Sequence, residues 1–529
     1  MHGRIKVRTS EEEKARKEKE RQEKLKIFKH AMKNILSKRN NNEQDEEQLD
    51  ITAKVLMSNP DIYTLWNIRR EILNILSKTK ECDEEVSKLY DSELTLTEYC
   101  LKVNPKSYCA WHQREWVLTT RTDPDWKKEL DLCNTYLKLD ERNFHTWDYR
   151  RFVVSQCKPP LQEEFDYTTE KLYDNFSNYS AWHYRSKMLV ELFPDLQGGR
   201  PIQDNHHKHE LKMVQSAAFT DPDDTSAWFY QRWLLGAVKV TIQPVVFCIN
   251  LSKATVAWSK SVSKEYIKNN VKILLDDLEV GGEWMSASGY EYDDLWILEH
   301  NLKSIDGEVK LEHIFLNEKE VIICDKYEAT MYVGKNDITF QNQYSKPVVE
   351  ELNEQLEACR QLLALEPDNR WTLLTTTVFL HCINANLYHE EVIDNLKTLK
   401  LLDSQRAGYY SDLITKWSIE NQLSNNFKNI STEYKVEFSE RITSLPHIQY
   451  YSFCKIVDLS NQKLTSSILP SLVKLHHCKE LNLSGNNLTT LKGFPNLELQ
   501  KLNVQDNPDL KSEEVAIFKK KHKNIIVIF

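Results

Sequence analysis

One tryptophan-centred signature recurs through the first half of this chain. The tryptophans are separated by 45, 36, 35 and 46 residues and are Trp66, Trp111, Trp147, Trp182 and Trp228. A recurrence at a period between about 20 and 50 residues is typical of arrays in which each repeat is one supersecondary unit. Such units stack because none of them can bury its apolar face alone. The signature therefore predicts a stacked repeat architecture.

Each signature also has the composition of a helix start. Three positions before the tryptophan stand Tyr63, Tyr108, Phe144, Tyr179 and, in the fifth copy, Thr225. Three positions after it stand Arg69, Arg114, Arg150 and Arg185, and the fifth copy shifts its arginine to Arg232. This spacing places the aromatic, the indole and the guanidinium on one broad helix face. Upstream Asn, Asp and Pro suit a helix N-terminus, and an amphipathic segment precedes each copy, so each unit is predicted to be a helical hairpin.

The simplest role for the repeated tryptophan and arginine is structural. A buried indole acts as a packing wedge between hairpins. The arginine is expected either to extend its head group to solvent or to bond backbone carbonyls of the adjoining hairpin.

Composition excludes several classes of protein. The 529 residues, 40% of them hydrophobic, predict two to four domains. The 11 cysteines form no Cys-x-x-Cys pair, which argues against a disulfide scaffold. A net charge of -9 argues against nucleic-acid binding, and no apolar run approaches the roughly 18 residues that cross a bilayer. We expect a cytoplasmic protein with no membrane insertion.

Catalytic and metal-binding motifs are not found in the sequence. There is no His-Glu-x-x-His pattern, no cysteine-rich ligand set and no glycine-rich phosphate loop. The histidine-rich run at 206–209 stands in a polar segment near Gly198 and Gly199, and we predict an exposed loop there rather than a metal site.

Two later segments have different patterns. Residues 238–251 and 321–334 alternate apolar and polar side chains, which predicts strands of a β insert of immunoglobulin-like size. Residues 457–464, 481–488 and 502–510 approximate Leu-x-Leu-x-x-Asn-x-Leu, which is typical of leucine-rich repeats. In these repeats Asn486 and Asn507 are expected to bond turn backbone, with Gln462 in the corresponding position of the first copy.

These patterns together predict a multidomain, mainly α chain. The predicted order is an α-α superhelical hairpin-repeat crescent at 1–237, an immunoglobulin-like β-sandwich inserted at 238–345, a continued helical domain at 346–441 and a leucine-rich repeat domain at 442–529. The continued helical domain holds a degenerate sixth copy of the signature at 362–380, in which Trp371 comes early.

The five units resemble the protein prenyltransferase alpha-subunit repeat, whose pattern is an aromatic, two residues, Trp, two residues and Arg. The tetratricopeptide repeat has a similar period, but its Gly and Ala positions are missing here. The combination of repeats, β insert and leucine-rich tail resembles the alpha subunits of the type II, Rab-directed protein geranylgeranyltransferases over nearly the whole chain.

That resemblance implies a function and a set of partners. It implies a heterodimer with a beta subunit that holds a catalytic zinc and the lipid pocket, while this chain binds no cofactor of its own. The implied reaction transfers geranylgeranyl from geranylgeranyl diphosphate to C-terminal cysteines of Rab GTPases, which a Rab escort protein presents. Zinc would hold the target cysteine as a thiolate.

The resemblance also implies catalytic roles for Lys106 and Tyr108. In the family, a lysine two residues before the aromatic of one repeat reaches the lipid diphosphate, with the aromatic hydroxyl nearby. Lys106 and Tyr108 match that pattern, and no other copy has a lysine at this position. A cation beside a helix N-terminus suits an anionic group. The alternative is an exposed lysine beside a core tyrosine.

A second function stays open at this point. Helical repeats and leucine-rich repeats also occur in non-enzymatic scaffolds that recruit protein partners. The sequence alone therefore predicts either a transferase subunit or such a scaffold.

Overall fold

A computed structural model describes residues 11–529 except 81, 197–199, 239–240, 306, 316–317, 329 and 437–439. Two compact units, Met1–Leu192 and Phe193–Phe529, make up the chain. The described part of unit 1 is helical, with α1 Glu11–Asn40, α2 Glu46–Leu56, α3 Tyr63–Thr79, α4 Asp83–Val103, α5 Tyr108–Thr120, α6 Trp126–Leu139, α7 Phe144–Cys157, α8 Leu161–Asp174 and α9 Tyr179–Leu192.

The helices of unit 1 pack as hairpins, as the signature predicts. Helices α4 and α5, α6 and α7, and α8 and α9 form the contacting pairs. Side chains of Ser107, Asp125 and Asn143 cap α5, α6 and α7 by accepting backbone N–H bonds in the first turn. Short polar connections with a cap therefore end one helix and start the next.

Each indole of the signature is buried and bonds the backbone of the connection that precedes its own helix. Its Nε1–H donates to the carbonyl oxygen six residues earlier at 2.8 to 3.0 Å, in the pairs Trp66–Pro60, Trp111–Pro105, Trp147–Glu141, Trp182–Phe176 and Trp228–Pro222. The first residue before α7 also uses one of these oxygens, because Asn143 Nδ2 donates to the Pro105 oxygen at 3.1 Å. The predicted packing role of the tryptophan is confirmed, and the indole also fixes the loop.

The arginines of the signature do not extend to solvent, so the first of the two alternatives is wrong, whereas the expected bond to a backbone carbonyl is made, although within the same hairpin. Arg114 is buried and bonds both oxygens of the buried Glu129 at 2.6 Å, while its Nη1 donates to the Leu94 carbonyl and the Thr97 hydroxyl. Leu94 and Thr97 belong to α4 of the same hairpin, whereas Glu129 belongs to α6 of the next. Equivalent buried pairs are Arg69–Glu93 and Arg150–Glu164. The arginine therefore fastens consecutive hairpins.

The aromatic, the indole and the guanidinium of each signature, which are predicted to share one broad helix face, differ in burial. Tyr63, Tyr108, Phe144 and Tyr179 are more than half exposed, whereas the tryptophans and arginines are buried. Each of these aromatics is the first residue of its helix, so no preceding turn covers it. The exposed aromatics are consequently available to a ligand or partner.

Most helices of unit 2 come before or after a β segment in the chain. Its helices are α10 Asp204–Thr220, α11 Thr225–Leu235, α12 Lys264–Asn270, α13 Lys346–Leu365, α14 Arg370–Asn384, α15 His389–Leu402, α16 Ala407–Asn426 and α17 Ser512–Lys521, with 3-10 turns at Ser404–Arg406, Phe427–Asn429, Ile448–Tyr451 and Ser466–Lys474. Trp371 is the second residue of α14, whereas Trp66, Trp111, Trp147, Trp182 and Trp228 are fourth in theirs.

The β segment forms two antiparallel sheets over one core. Its strands are β1 Pro244–Ile249, β2 Lys253–Ser263, β3 Val271–Leu275, β4 Leu278–Glu279, β5 Glu283–Ser286, β6 Tyr292–Glu299, β7 Val309–Phe315, β8 Glu318–Ile323, β9 Asp325–Glu328 and β10 Met331–Lys335. The sheet orders are β5-β6-β2-β1-β10-β9 and β4-β3-β7-β8. Phe247 and Trp258 of the first sheet share a buried cluster with Ile273 and Leu311 of the second.

The C-terminal segment forms a parallel sheet in sequence order. Its strands are β11 Glu433–Lys435, β12 Ile456–Asp458, β13 Glu480–Asn482, β14 Lys501–Asn503 and β15 Ile526–Ile528. Asn486 Nδ2 donates to the carbonyls of Leu459 and Leu483, and its Oδ1 accepts from the Leu464 N–H. Asn507 and Gln462 make comparable backbone bonds one repeat later and one repeat earlier. The predicted bonding of Asn486 and Asn507 to backbone is confirmed.

We expect Asn486→Leu to lower the free energy of unfolding of unit 2 by about 2–3 kcal/mol. The change leaves the buried Leu464 N–H and Leu459 carbonyl without their partner. Chemical denaturation followed by circular dichroism measures the loss. Asn487→Leu, at the exposed neighbouring position, is the control and should change stability by less than about 0.5 kcal/mol. Equal effects of the two changes would contradict the bonding role.

One buried and one partly buried histidine should make unit 2 sensitive to acid. Burial lowers the pKa of His381, which stacks on Trp417, to about 4, and lowers the pKa of His477 to about 3. Between the usual histidine pKa near 6.5 and these values, the unfolded chain takes up protons that the folded chain does not. We expect stability to be full above pH 6.5 and to fall by a few kcal/mol towards pH 4.

Denaturation curves recorded at intervals from pH 7 to pH 4 test this expectation. His381→Phe should flatten part of the slope, and His209→Phe, at an exposed position, should leave it unchanged. A slope that His381→Phe leaves intact would show that His381 is not one of the groups responsible.

Candidate functional site

Lys106 and Tyr108 lie at the connection between α4 and α5, as the signature places them. Lys106 is 61% exposed, and its Nζ is 3.7 Å from Asp140 Oδ2 in the connection after α6. Such an exposed pair contributes little to stability and can exchange its partner. The lysine is therefore a cation that an incoming anion can engage.

Hydrogen bonds on both sides hold the backbone of Lys106. The Pro105 carbonyl accepts from Trp111 Nε1 at 3.0 Å and from Asn143 Nδ2 at 3.1 Å. Ser107 is buried, and its hydroxyl caps α5 by accepting from the Ala110 N–H. The side chain of Lys106 consequently projects from a fixed turn, which is the preorganisation that electrostatic stabilisation needs.

Tyr108 is exposed rather than part of a core, and it packs against a neighbouring ring. Its ring is 67% exposed and lies edge-on to His145, with the ring centroids 4.3 Å apart. His145 in turn stacks on Phe144 at 4.0 Å. The alternative of a core tyrosine beside Lys106 is therefore wrong for the tyrosine.

His145 is a site residue that the sequence analysis missed. Its pKa is lowered by burial first and then by the positive charge of Lys106, so the imidazole is neutral at physiological pH. A sequence signal was available: among the five copies, only the third has a histidine directly after the aromatic position. A neutral imidazole can donate one hydrogen bond beside the charge of Lys106.

A cavity of about 640 Å³ adjoins this group. Its lining combines side chains from α3, α5 and α7 and consists of Tyr63, Tyr108, Cys109, Trp111, His112, Glu115, His145, Asp148, Tyr149, Arg151 and Phe152. Lys106 is not part of the lining. The arrangement offers a phenol hydroxyl and an imidazole that line the cavity, with an exposed lysine two residues before that phenol, and it can stabilise negative charge on a bound group.

Comparison with known proteins assigns the repeats to a family. The model of the protein prenyltransferase alpha subunit repeat matches residues 45–76, 90–121, 126–157, 161–192 and 207–238. These segments contain the five tryptophan signatures.

The similarity extends over almost the whole chain. The geranylgeranyl transferase type-2 subunit alpha of Rattus norvegicus is 36% identical over 525 residues, which cover 96% of this chain and 91% of the relative. The human protein of the same name is 36% identical over 533 residues with the same coverage. This chain belongs to the type-2 geranylgeranyl transferase alpha-subunit family. It is the alpha subunit of a prenyltransferase.

Family members differ in how much of this chain they match. The type-2 alpha subunit of Dictyostelium discoideum is 37% identical over 243 residues, which cover 45% of this chain but 76% of that relative. More than half of the present chain therefore has no counterpart in that match.

The histidine-rich run lies in a helix, so the predicted exposed loop is wrong. His206, His207 and His209 belong to α10, where His206 stacks on Phe193 and the buried His207 bonds the Leu234 carbonyl at 2.9 Å. The helical 3.6-residue period, which the polar composition hides, turns His207 into the core.

Among the described residues, no three His, Cys, Asp or Glu side chains lie together in a group that could hold a metal ion. None of the described helices combines the length and the apolar composition that a membrane-spanning helix needs.

Proposed function

We propose that this chain, with a beta subunit, transfers geranylgeranyl from geranylgeranyl diphosphate to C-terminal cysteines of Rab GTPases that an escort protein presents. The observation that carries the proposal is the 36% identity over 96% of the chain to type-2 geranylgeranyl transferase alpha subunits. The exposed aromatics at the helix starts and the cavity beside Tyr108 support it, because they provide a surface for a partner and for substrate.

In this proposal the beta subunit holds the catalytic zinc and the lipid pocket. The zinc, when bound there, keeps the cysteine as a thiolate nucleophile.

Lys106 and Tyr108 would act on the leaving group. The thiolate sulfur forms a bond to C1 of the geranylgeranyl chain while the bond from C1 to the diphosphate oxygen breaks, and inorganic diphosphate leaves. Negative charge therefore accumulates on the diphosphate oxygen. Lys106 would stabilise that charge, with the Tyr108 hydroxyl as a neutral hydrogen-bond donor and His145 beside it.

The domains of the second half are proposed to follow the predicted boundaries. We assign an immunoglobulin-like sandwich to 238–345, continued helices to 346–441 and leucine-rich repeats to 442–529, after the helical repeats of 1–237. The two antiparallel sheets over one core support the first assignment, and the parallel sheet with its asparagine bonds supports the last. We also propose a cytoplasmic location.

Purification of the chain from its native cell tests this proposal against the scaffold alternative. We expect a second polypeptide at a 1:1 ratio together with about one zinc ion for each pair. A chain that elutes alone, with no zinc and no stoichiometric partner, would favour the non-enzymatic scaffold.

A further inference from the structure

Two departures from the repeat pattern meet in unit 2. The fifth copy carries its arginine at Arg232, one position later than the other copies, and Gln231 stands in the usual place. Gln231 makes a buried contact to another helix, as the arginine does in the other copies, because its Nε2 donates to Gln355 Oε1 of α13 at 2.9 Å. Arg232 therefore does not join hairpins as the other arginines do. Its central guanidinium carbon lies 5.4 Å from the ring centre of Trp371, the tryptophan that comes early in the sixth copy.

Three guanidinium groups surround this one indole. The central carbons of Arg232, Arg370 and Arg406 lie 5.4, 5.6 and 4.8 Å from the ring centre of Trp371. They come from α11, from the first position of α14 and from the turn before α16. We call these four residues the arginine cluster.

The positive charge of the arginine cluster exceeds the negative charge beside it. Asp403 is buried and accepts from Arg406 Nη1 at 2.7 Å and from the Tyr410 hydroxyl at 2.9 Å. Within the described part of the chain, Arg232 and Arg370 have no ion pair. One carboxylate therefore faces three cations.

Arg232 lacks hydrogen-bond partners although it is largely buried. Its Nε and Nη2 are inaccessible and make no hydrogen bond. Burial lowers its pKa, and the charge of Arg406 lowers it further, whereas Tyr409 and Tyr410 act in the opposite direction. A buried guanidinium without hydrogen-bond partners is unfavourable, and such groups call for an explanation, such as the negative charge of a ligand bound nearby.

The composition of the cluster indicates which class of ligand fits. Arginine is among the residues most enriched where protein partners bind tightly, and guanidinium groups bind carboxylates in a bidentate fashion. Arg370 and Arg406 are exposed, so a carboxylate can reach them from solvent. The chain as a whole carries a net charge of -9, so this cationic spot is a local exception that complements an acidic partner.

We propose that the arginine cluster is a docking site for an acidic segment of a protein partner, whose carboxylates bond the exposed Arg370 and Arg406 while Arg232 behind them adds positive charge. The proposal does not depend on transferase activity, because it concerns binding alone.

Binding of a fluorescent octaglutamate peptide to the full-length chain tests the proposal by anisotropy at low salt. We expect Arg370→Gln/Arg406→Gln to weaken binding at least fivefold. Arg360→Gln, which removes an exposed arginine of α13 that pairs with Glu391, is the matched control and should leave binding unchanged. No measurable binding to the unaltered chain, or equal losses in the variant and the control, would overturn the proposal. Displacement of the peptide by an equal concentration of inorganic phosphate would also overturn it, because the site would then select a small anion.

Arg232→Met separates a ligand role from a structural one. If Arg232 serves the binding of an acidic partner, the substitution removes a buried cation that makes no hydrogen bond in the fold. The melting temperature should then stay the same or rise, while the affinity for the peptide falls. A lower melting temperature with unchanged peptide affinity would show that Arg232 serves the fold only.

Discussion

Arg114→Met should destabilise unit 1 by about 3–5 kcal/mol. The substitution leaves Glu129 as a buried carboxylate without its cation, and removing one partner of a buried ion pair has an effect of this size. The loss should be measurable as a lower midpoint in urea denaturation. Because Arg114 also bonds the Leu94 carbonyl and the Thr97 hydroxyl of α4, the contact between consecutive hairpins should weaken as well.

Two further variants serve as controls for this prediction. Arg21→Met removes an exposed cation of α1 that lies 3.8 Å from Glu18, and it should change stability by less than about 0.5 kcal/mol. The double variant Arg114→Met/Glu129→Leu should be less destabilised than the sum of its single variants, since no isolated charge stays buried. Additive losses would mean that the ion pair is not what joins these hairpins.

Lys106→Ala in the heterodimer should lower the single-turnover rate of prenyl transfer on the order of 100-fold. Removing one preorganised group that stabilises developing negative charge has an effect of about this size. Binding of the Rab substrate should change much less, because the lysine would act on the leaving diphosphate. Rapid-quench measurement with saturating enzyme separates the two quantities.

Lys102→Ala is the matched control, since Lys102 is an exposed lysine of α4 paired with Glu98. It should leave the rate unchanged, and Lys106→Arg should recover part of it. The ion pair of Lys106 with Asp140 is exposed, so the alanine variant should keep its stability. A single-turnover rate equal to that of the unaltered enzyme would remove Lys106 from the mechanism.

The helical repeats could be predicted from the sequence because their signal is both periodic and local. The tryptophan spacing, the caps and the amphipathic segments all act within one hairpin. The partner of the arginine was missed because it lies in the next hairpin. Its signal was nevertheless present: Glu93, Glu129 and Glu164 follow one another at the 36- and 35-residue steps that separate Trp111, Trp147 and Trp182. Glutamates in polar helices are usually exposed, and only their shared period with the tryptophans distinguishes these three.

The candidate site was only partly predictable for a related reason. Lys106 and Tyr108 belong to one short motif, whereas His145 comes from the following repeat and meets Tyr108 through stacking of hairpins. The exposure of Tyr108 depends on its place at the start of α5, and this place reverses the usual expectation that an aromatic next to a buried tryptophan is itself buried.

Transfer of labelled geranylgeranyl from its diphosphate to a Rab GTPase, in the presence of an escort protein, tests the central claim most directly. This chain and a candidate beta subunit are assayed together and each alone. We expect labelled Rab only when both chains are present. Transfer by either chain alone, or a stable pair that transfers nothing to any Rab, would contradict the account.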